Sequence, residues 1–560
     1  MMATITLALH CLGFAADPAI VQTAQGAVRG IVTEHSRKWL GIPFAEPPVG
    51  KLRWQSPQTP TAWAPAAVKD ATDFGHNCLQ SGTSFDMGWP QPRSTLSEDC
   101  LFLNVYSGPA NKTKSAPVLF WIYGGGFQGG GGNETRLNGT WDAALMAGEL
   151  VVVTSNYRLG SFGFAASKEL SKRETALAGE TRGTGNYGIL DQRAAMAWVQ
   201  KNIGGFGGDP SRVLIVGQSA GASSVSQHLV RPASWGLFSA AGMESGAFYD
   251  GTNTPTLVES EPRWTKFVRK LGCEGAADRL ACMVALPADA ILNETNARGE
   301  VWSNPVVDGV DLTASGPELA EQGRLAPAAV FAGGVEEDIS TFDSSCSAEA
   351  CTRGDFVHAA VAFGFEEAEA EQLASQYADD PIRPGRTAAQ RWAAAIQHAG
   401  ADGWSNCAAR RVVRWYARLQ RPAWWYKWSF VPAGPNGRAL SHHSVEQPYV
   451  FHVLSETREE QREDGGMYHI ASDEAPFSER IARAWAAMAA SGDPNAAGAA
   501  GVGWPLFNAS TNGSALLIEG GAGTPGSFRA AANLMATKCD LFDGLFFGRR
   551  GPKTVVRPRQ

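Results

Sequence analysis

The sequence lacks a basic surplus. Its 48 Lys and Arg stand against 55 Asp and Glu, a formal net charge of −7, so the chain carries no electrostatic footprint for nucleic acid. It also lacks any apolar run long enough for a membrane span, which argues against a stable membrane anchor. Internal repeats, which would mark a solenoid or a propeller, are missing, and so is a long interdomain linker. Charged residues are scarce, 18% against 44% hydrophobic. That balance fits a soluble globular chain with a sizeable core. Beyond the His442-His443 pair, no ligand spacing supports a metal site.

What is present begins with a short apolar stretch, Ile5 to Ala15, followed by small residues suited to a cleavage site. We read residues 1–16 as a secretory signal peptide, although no Lys or Arg precedes the stretch. Of nine cysteines, Cys11 falls in this leader. The remaining eight are Cys78, Cys100, Cys273, Cys282, Cys346, Cys351, Cys407 and Cys539. An even count suits disulfides in an oxidising compartment, with pairing open. Asn111, Asn133, Asn138, Asn293, Asn508 and Asn512 each begin an N-x-S/T sequon. The expectation is a secreted, extracellular glycoprotein.

Residues 20–34 alternate like a hairpin, and APVLFWIYGGGF and ELVVVTSNYR read as buried strands. DQRAAMAWVQKNI reads as an amphipathic helix, residues 255–420 as mainly helical, and the Gly-, Ala- and Pro-rich 492–526 as exposed loop. Strands alternating with helices predict a mostly parallel α/β sheet flanked by helices.

VLIVGQSAGASSV then poses a question about Ser219. In a chain with 63 glycines, Gly217-Gln218-Ser219-Ala220-Gly221 is a weak match by itself. Its context is stronger. Val213 to Val216 reads as a buried strand and Ala220 to Val230 as a helix, the strand–turn–helix of a nucleophile elbow. A serine on such a turn needs neighbours with almost no side chain. It also needs donors for an oxyanion. Gly125 and Gly126, in the turn after Trp121-Ile122, supply them together with Ala220.

The blocks WLGIPFAEPPVGKLRW, SEDCLFLNVY, WIYGGGF, GNYGILDQRAAMAWVQKNIGGFGGDP, VGQSAGASS and SGDPN…WP resemble those of type-B carboxylesterases, the group that includes cholinesterases and some fungal lipases. The resemblance implies one α/β-hydrolase domain, which we place over 17–545; the alternation near the N-terminus predicts a small antiparallel hairpin, and the basic tail over 546–560 is expected to be disordered. It implies a structural Arg53–Glu98 pair. It implies the disulfides Cys78–Cys100, Cys273–Cys282 and Cys407–Cys539, which leaves Cys346 and Cys351 to each other.

The resemblance also implies a triad in the order serine, acid, histidine, with no cofactor. His443-Ser444-Val445-Glu446 fits the family's histidine pattern, and His442 misses its register by one. Where the family writes Asp-Glu-Gly with Glu as the acid, this chain reads Glu337-Asp338-Ile339. The ungapped register favours Asp338 over Glu337, and an aspartate is one methylene shorter. Ser245 resembles a serine that supports the acid. Val301, Trp302 and Ser303 fall where the family puts its acyl pocket. The bulky Phe positions of acetyl-selective members are Val301 and Ser303 here, so the pocket is expected to be open. The implied substrate is a small-molecule carboxylic ester. Cholinesterase-like or lipase activity and a non-catalytic adhesion role are the alternatives. Neutral Gln218, where cholinesterases favour a glutamate, counts against a choline ester.

Overall fold

The structure, a computed structural model, describes residues 17–545 except 66, 81–94, 110–114, 135–138, 140–147, 249–253, 296–301, 303, 340–345, 348, 379–386, 433–440, 455–469, 471, 497–500, 509–512 and 522–523. The expected leader and basic tail fall outside this range.

The chain opens on the expected antiparallel hairpin, β1 (Ile20–Thr23) and β2 (Gly26–Arg29). β3 (Ile31–Val32) and β4 (Arg37–Pro43) enter a larger sheet. β5 (Val68–Asp70) joins the hairpin in parallel, and β6 (Asn77–Cys78) pairs with β7 (Leu96–Ser97). The large sheet gains β8 (Phe102–Ser107), β9 (Ala116–Ile122), β10 (Val151–Ser155), β11 (Gly208–Gln218) and β12 (Ala240–Glu244). It is completed by β13 (Ala329–Val335), β14 (Ala423–Trp428), β15 (Ser514–Gly521) and β16 (Thr524–Ala532).

Its eleven strands run β16-β15-β14-β13-β12-β11-β9-β10-β8-β4-β3. The block from β15 to β10 is parallel, and the strands outside it are antiparallel. β9 (APVLFWI) and β10 (VVVTS) are buried at every position. A parallel strand covered on both faces has no solvent side to reserve for polar residues, so it reads as a continuous apolar run.

The helices include α1 (Tyr187–Asn202), α2 (Ala220–Leu229), α3 (Leu257–Lys270), α4 (Arg353–Phe363), α5 (Glu367–Tyr377), α6 (Ala388–Ala401), α7 (Cys407–Arg418), α8 (Ala475–Ser491) and α9 (Ala536–Asp543), of which α1, α2, α7 and α8 pack on the sheet. Phe356, Leu373, Ile396 and Phe542, from α4, α5, α6 and α9, form a second, smaller core. All four disulfides have the pairing expected above. Arg53 also grips Glu98 with two parallel hydrogen bonds of 2.6 and 2.7 Å.

One stretch departs from expectation. Residues 492–526 are not simply exposed loop, because β15 and the start of β16 lie within them. Ala515 to Ile518 are buried and pair with β16, and Leu516 to Ile518 pair with β14 on the other side. A four-residue apolar run between glycines carries little local signal, and tertiary pairing overrides it. Residues 255–420 are mainly helical as expected, with β13 running through them.

Candidate active site

The C-terminal ends of β9, β11, β12, β13 and β14 converge on one edge of the parallel block. In an open α/β sheet this is where ligands bind. Ser219 follows β11 directly and heads α2 with φ 60° and ψ −125°, a conformation costly for any residue with a side chain. Neighbouring backbone holds it there. The Ser219 N–H donates to the carbonyl of Glu244 at the end of β12 (2.9 Å), and its own carbonyl accepts from Ser223 N–H (2.9 Å). A side chain at position 221 would collide with the backbone carbonyl of Ile122, so only glycine lets α2 leave the strand here.

The glycine turn after β9 lies against this elbow. A Cβ on Gly124 would sit 2.9 Å from Ser219 Cβ. Gly125 takes φ 92°, which glycine adopts without strain. Its carbonyl accepts from the N–H groups of Gln128 and Gly129. Among the described residues the N–H groups of Gly125 and Gly126 donate to no backbone carbonyl. Ala220 begins α2, where the first N–H groups have no intrahelical acceptor and the helix dipole favours negative charge.

His443 lies in the loop after β14 and Asp338 just beyond β13. His443 Nδ1 is 2.5 Å from Asp338 Oδ1, and the Asp338 carboxylate is fully buried. The shorter aspartate therefore reaches the imidazole. Asp338 is itself held by two donors, Ile339 N–H on Oδ1 (3.0 Å) and the Ser405 hydroxyl on Oδ2 (2.7 Å). Ser405 sits on a π-helical turn, Asp402–Asn406, between α6 and α7. Trp404, on the same turn, meets the His443 ring edge-on at 5.2 Å. Glu337 does other work: its carboxylate accepts from Ser441 N–H (2.6 Å) and its backbone bridges to His442, tying the histidine loop to β13.

Gln218 completes the contact between elbow and histidine. Its Nε2 lies 3.1 Å from His443 Nε2 and 3.4 Å from Nδ1, while its Oε1 accepts from Gln447 Nε2 (2.8 Å). Behind them lie two buried carboxyls. Burial pushes Glu446 up to about 7, with the charge of Asp338 adding to the shift. Burial also raises Glu244, and Glu446 adds to that shift.

Ser245 departs from expectation. Its hydroxyl donates to Glu446 Oε1 (3.1 Å), not to Asp338; the hydroxyl on the acid belongs to Ser405. Sequence reading missed Ser405, Trp404 and Gln447, since nothing in the local pattern at 404–405 announces a contact 67 residues away. Trp302 packs in the core against Phe267, with Arg263 over its ring, and no described contact joins it to Ser219. Val301 and Ser303 lie outside the described residues. Among the sequon asparagines, Asn293 and Asn508 are exposed. Asn133 is half-buried and accepts from Asn77. Asn111, Asn138 and Asn512 are outside the described residues.

Comparison with known proteins places the chain in a family. Residues 17–541 match the model of the carboxylesterase family. The chain is 31% identical over 511 residues to a para-nitrobenzyl esterase of Bacillus subtilis, covering 89% of this chain and 94% of that protein. It is 30% identical over 532 residues to a cholinesterase of Mus musculus, covering 87% and 81%. It is 32% identical over 446 residues to a fumonisin B1 esterase of Sphingopyxis macrogoltabida, covering 78% and 75%. A solved carboxylesterase of Geobacillus stearothermophilus superposes with a TM-score of 0.73 at 27% identity, over 94% of this chain and all of that one. Sequence, fold and the convergence at the sheet edge lead to one conclusion: this chain belongs to the type-B carboxylesterase family of α/β-hydrolases and is a carboxylic ester hydrolase.

Proposed function

We propose that the chain is a secreted serine esterase that works through Ser219, His443 and Asp338. The observation that carries this reading is the 2.5 Å contact of the buried Asp338 carboxylate with His443, together with the strained elbow at Ser219. With Nδ1–H given to Asp338, the imidazole keeps its lone pair on Nε2 and acts as base. Ser219 Oγ attacks the ester carbonyl carbon as its proton passes to His443. The carbonyl oxygen becomes an oxyanion facing Gly125, Gly126 and Ala220 N–H groups. Collapse expels the alcohol, which takes the proton from His443, and leaves an acyl-enzyme. Water, deprotonated by His443, then releases the acid and restores Ser219. These steps draw on the chain's own residues alone. Four disulfides and the leader-like N-terminus support an oxidising, extracellular setting.

Neutral Gln218 beside His443, with no anionic side chain preceding the serine, favours uncharged esters over choline esters. The test of the reading is Ser219→Ala. A fall in kcat on the order of 10⁴–10⁶ with an unchanged melting temperature is expected. Retention of more than a few per cent of activity in a clean preparation would remove Ser219 as nucleophile.

A further inference from the structure

Two buried glutamines stand in line with the histidine. Gln447 donates through Nε2 to Gln218 Oε1 (2.8 Å), and Gln218 turns its own Nε2 toward both nitrogens of His443, 3.1 and 3.4 Å away. Both side chains are essentially out of solvent, and Gln447 Oε1 accepts no hydrogen bond among the described residues. Because Gln218 Nε2 is near both ring nitrogens, it flanks the imidazole and responds to the charge of the whole ring.

This arrangement matches only one protonation state. A neutral imidazole, with Nδ1–H committed to Asp338, can accept the amide N–H only at Nε2, the lone pair that the Ser219 proton must reach, so the amide N–H has to give way as that proton arrives. Once His443 has taken the serine proton the ring is a cation, and an amide N–H aimed at it is repulsive. An amide exchanges its oxygen and its NH2 by a half-turn with almost no change of shape. If Gln218 turned alone, its NH2 would meet the NH2 of Gln447. If both turn, Gln218 Oε1 faces the imidazolium and Gln447 Oε1 accepts from Gln218 Nε2. Each arrangement leaves one polar atom of Gln447 without a partner, Oε1 as observed and Nε2 once both have turned, and the charge on His443 biases the choice between them. We propose that Gln218 and Gln447 form a two-amide relay that turns in step with proton transfer to His443, presenting NH2 to the neutral ring and oxygen to the cation.

The other charged groups around the ring are fixed in role. Asp338 faces it from the end of β13, and Glu446 lies behind it, bonded to Ser245 and neighboured by Glu244. Glu337 and His442 flank its loop, and Trp404 adds an uncharged ring from the π-helical turn. Of the described side chains in contact with the ring, Gln218 is the one whose amide can exchange donor for acceptor, and Gln447 is its partner. Both are positioning residues, acting through His443.

The inference rests on His443 being the base, and the experiment separates the two claims. The kcat/KM pH profile of an uncharged p-nitrophenyl ester is measured for wild type, Gln447→Glu, Gln218→Met and the double variant, with melting temperatures to verify folding. A carboxylate at 447 only accepts, so it holds Gln218 with its oxygen toward His443. The acid limb of Gln447→Glu is expected to move up by about one pH unit, a tenfold change in the protonation equilibrium. In the double variant the charge remains but the amide is gone, and the shift is expected to disappear. Gln218→Met alone is expected to lower kcat about tenfold with KM within twofold. An equal shift in single and double variants would reduce the effect to the added charge and overturn the relay, as would no shift in either. Should Gln447→Glu fail to fold, Gln218→Met decides: unchanged kcat refutes the relay. Full activity in His443→Gln would instead defeat the triad reading itself.

Discussion

At the scale of single residues, the acid next to the histidine is the sharpest assignment. Asp338 and Glu337 are adjacent carboxylates with different partners. One accepts from the imidazole, the other from the backbone N–H of Ser441. Asp338→Asn is expected to lower kcat on the order of 10³–10⁴-fold, because an amide favours the wrong histidine tautomer. Glu337→Gln keeps an oxygen for Ser441 and is expected to stay within about fivefold of wild type. Steady-state kinetics on folded variants reads the ranking, and the reverse order would move the acid to Glu337. A second residue-scale consequence concerns the buried carboxyls. Glu446 and Glu244 bind their protons more tightly in the folded state than in the unfolded chain. The native state then holds more protons, so their contribution to stability falls as pH rises from about 4.3, the unfolded value, towards the raised folded ones. Glu244→Gln keeps an acceptor for Trp485 Nε1, now 2.7 Å from Glu244 Oε1, and removes one of these ionisations. Its melting temperature relative to wild type is expected to be more favourable at pH 8 than at pH 5. A difference independent of pH would contradict the burial argument.

At the scale of elements, the elbow was legible because its requirements are local. A strand, a strained serine and a helix that must pass close to Ile122 impose small residues at fixed spacing, and Gly217 to Gly221 announce them in order. The proposed histidine and acid could be placed only through the register of longer blocks. What supports them was not. Ser405 is placed by a π-helical turn that has no sequence signature, and Ser245 keeps its expected position in sequence but bonds to a different carboxylate. β15 was hidden for a related reason: four apolar residues between glycines become a strand because β14 and β16 offer partners. Gly221→Ala tests the elbow as an element. The added methyl meets a backbone carbonyl that cannot move without shifting β9. A destabilisation of about 1–3 kcal/mol or more is expected, read by denaturant unfolding. A neutral substitution would mean that the helix does not pass as closely as described.

At the scale of the whole molecule, a sheet of eleven strands and two cores among the described residues carry a candidate site assembled from residues more than 200 positions apart. The fold class and the disulfide framework were readable from the chain because family blocks and cysteines repeat a known plan. The acyl side was not: Val301 and Ser303 lie outside the described residues, and Trp302 packs in the core against Phe267. The expected outcome there is that p-nitrophenyl butyrate and hexanoate are turned over better than acetate. Each added methylene in an apolar pocket is worth about 0.8 kcal/mol. A strong acetyl preference in kcat/KM would mean that the pocket is closed. The central claim, that one serine at the elbow is the nucleophile, is tested most directly by covalent labelling. Wild type is incubated with a fluorophosphonate, which transfers its phosphonyl group to a reactive serine oxygen with loss of fluoride. The modified peptide is then identified by mass spectrometry. The account predicts a single stoichiometric adduct on Ser219, loss of activity in step with labelling, and much slower labelling in Asp338→Asn. An inactivating adduct on any other serine, with Ser219 unmodified, would contradict it.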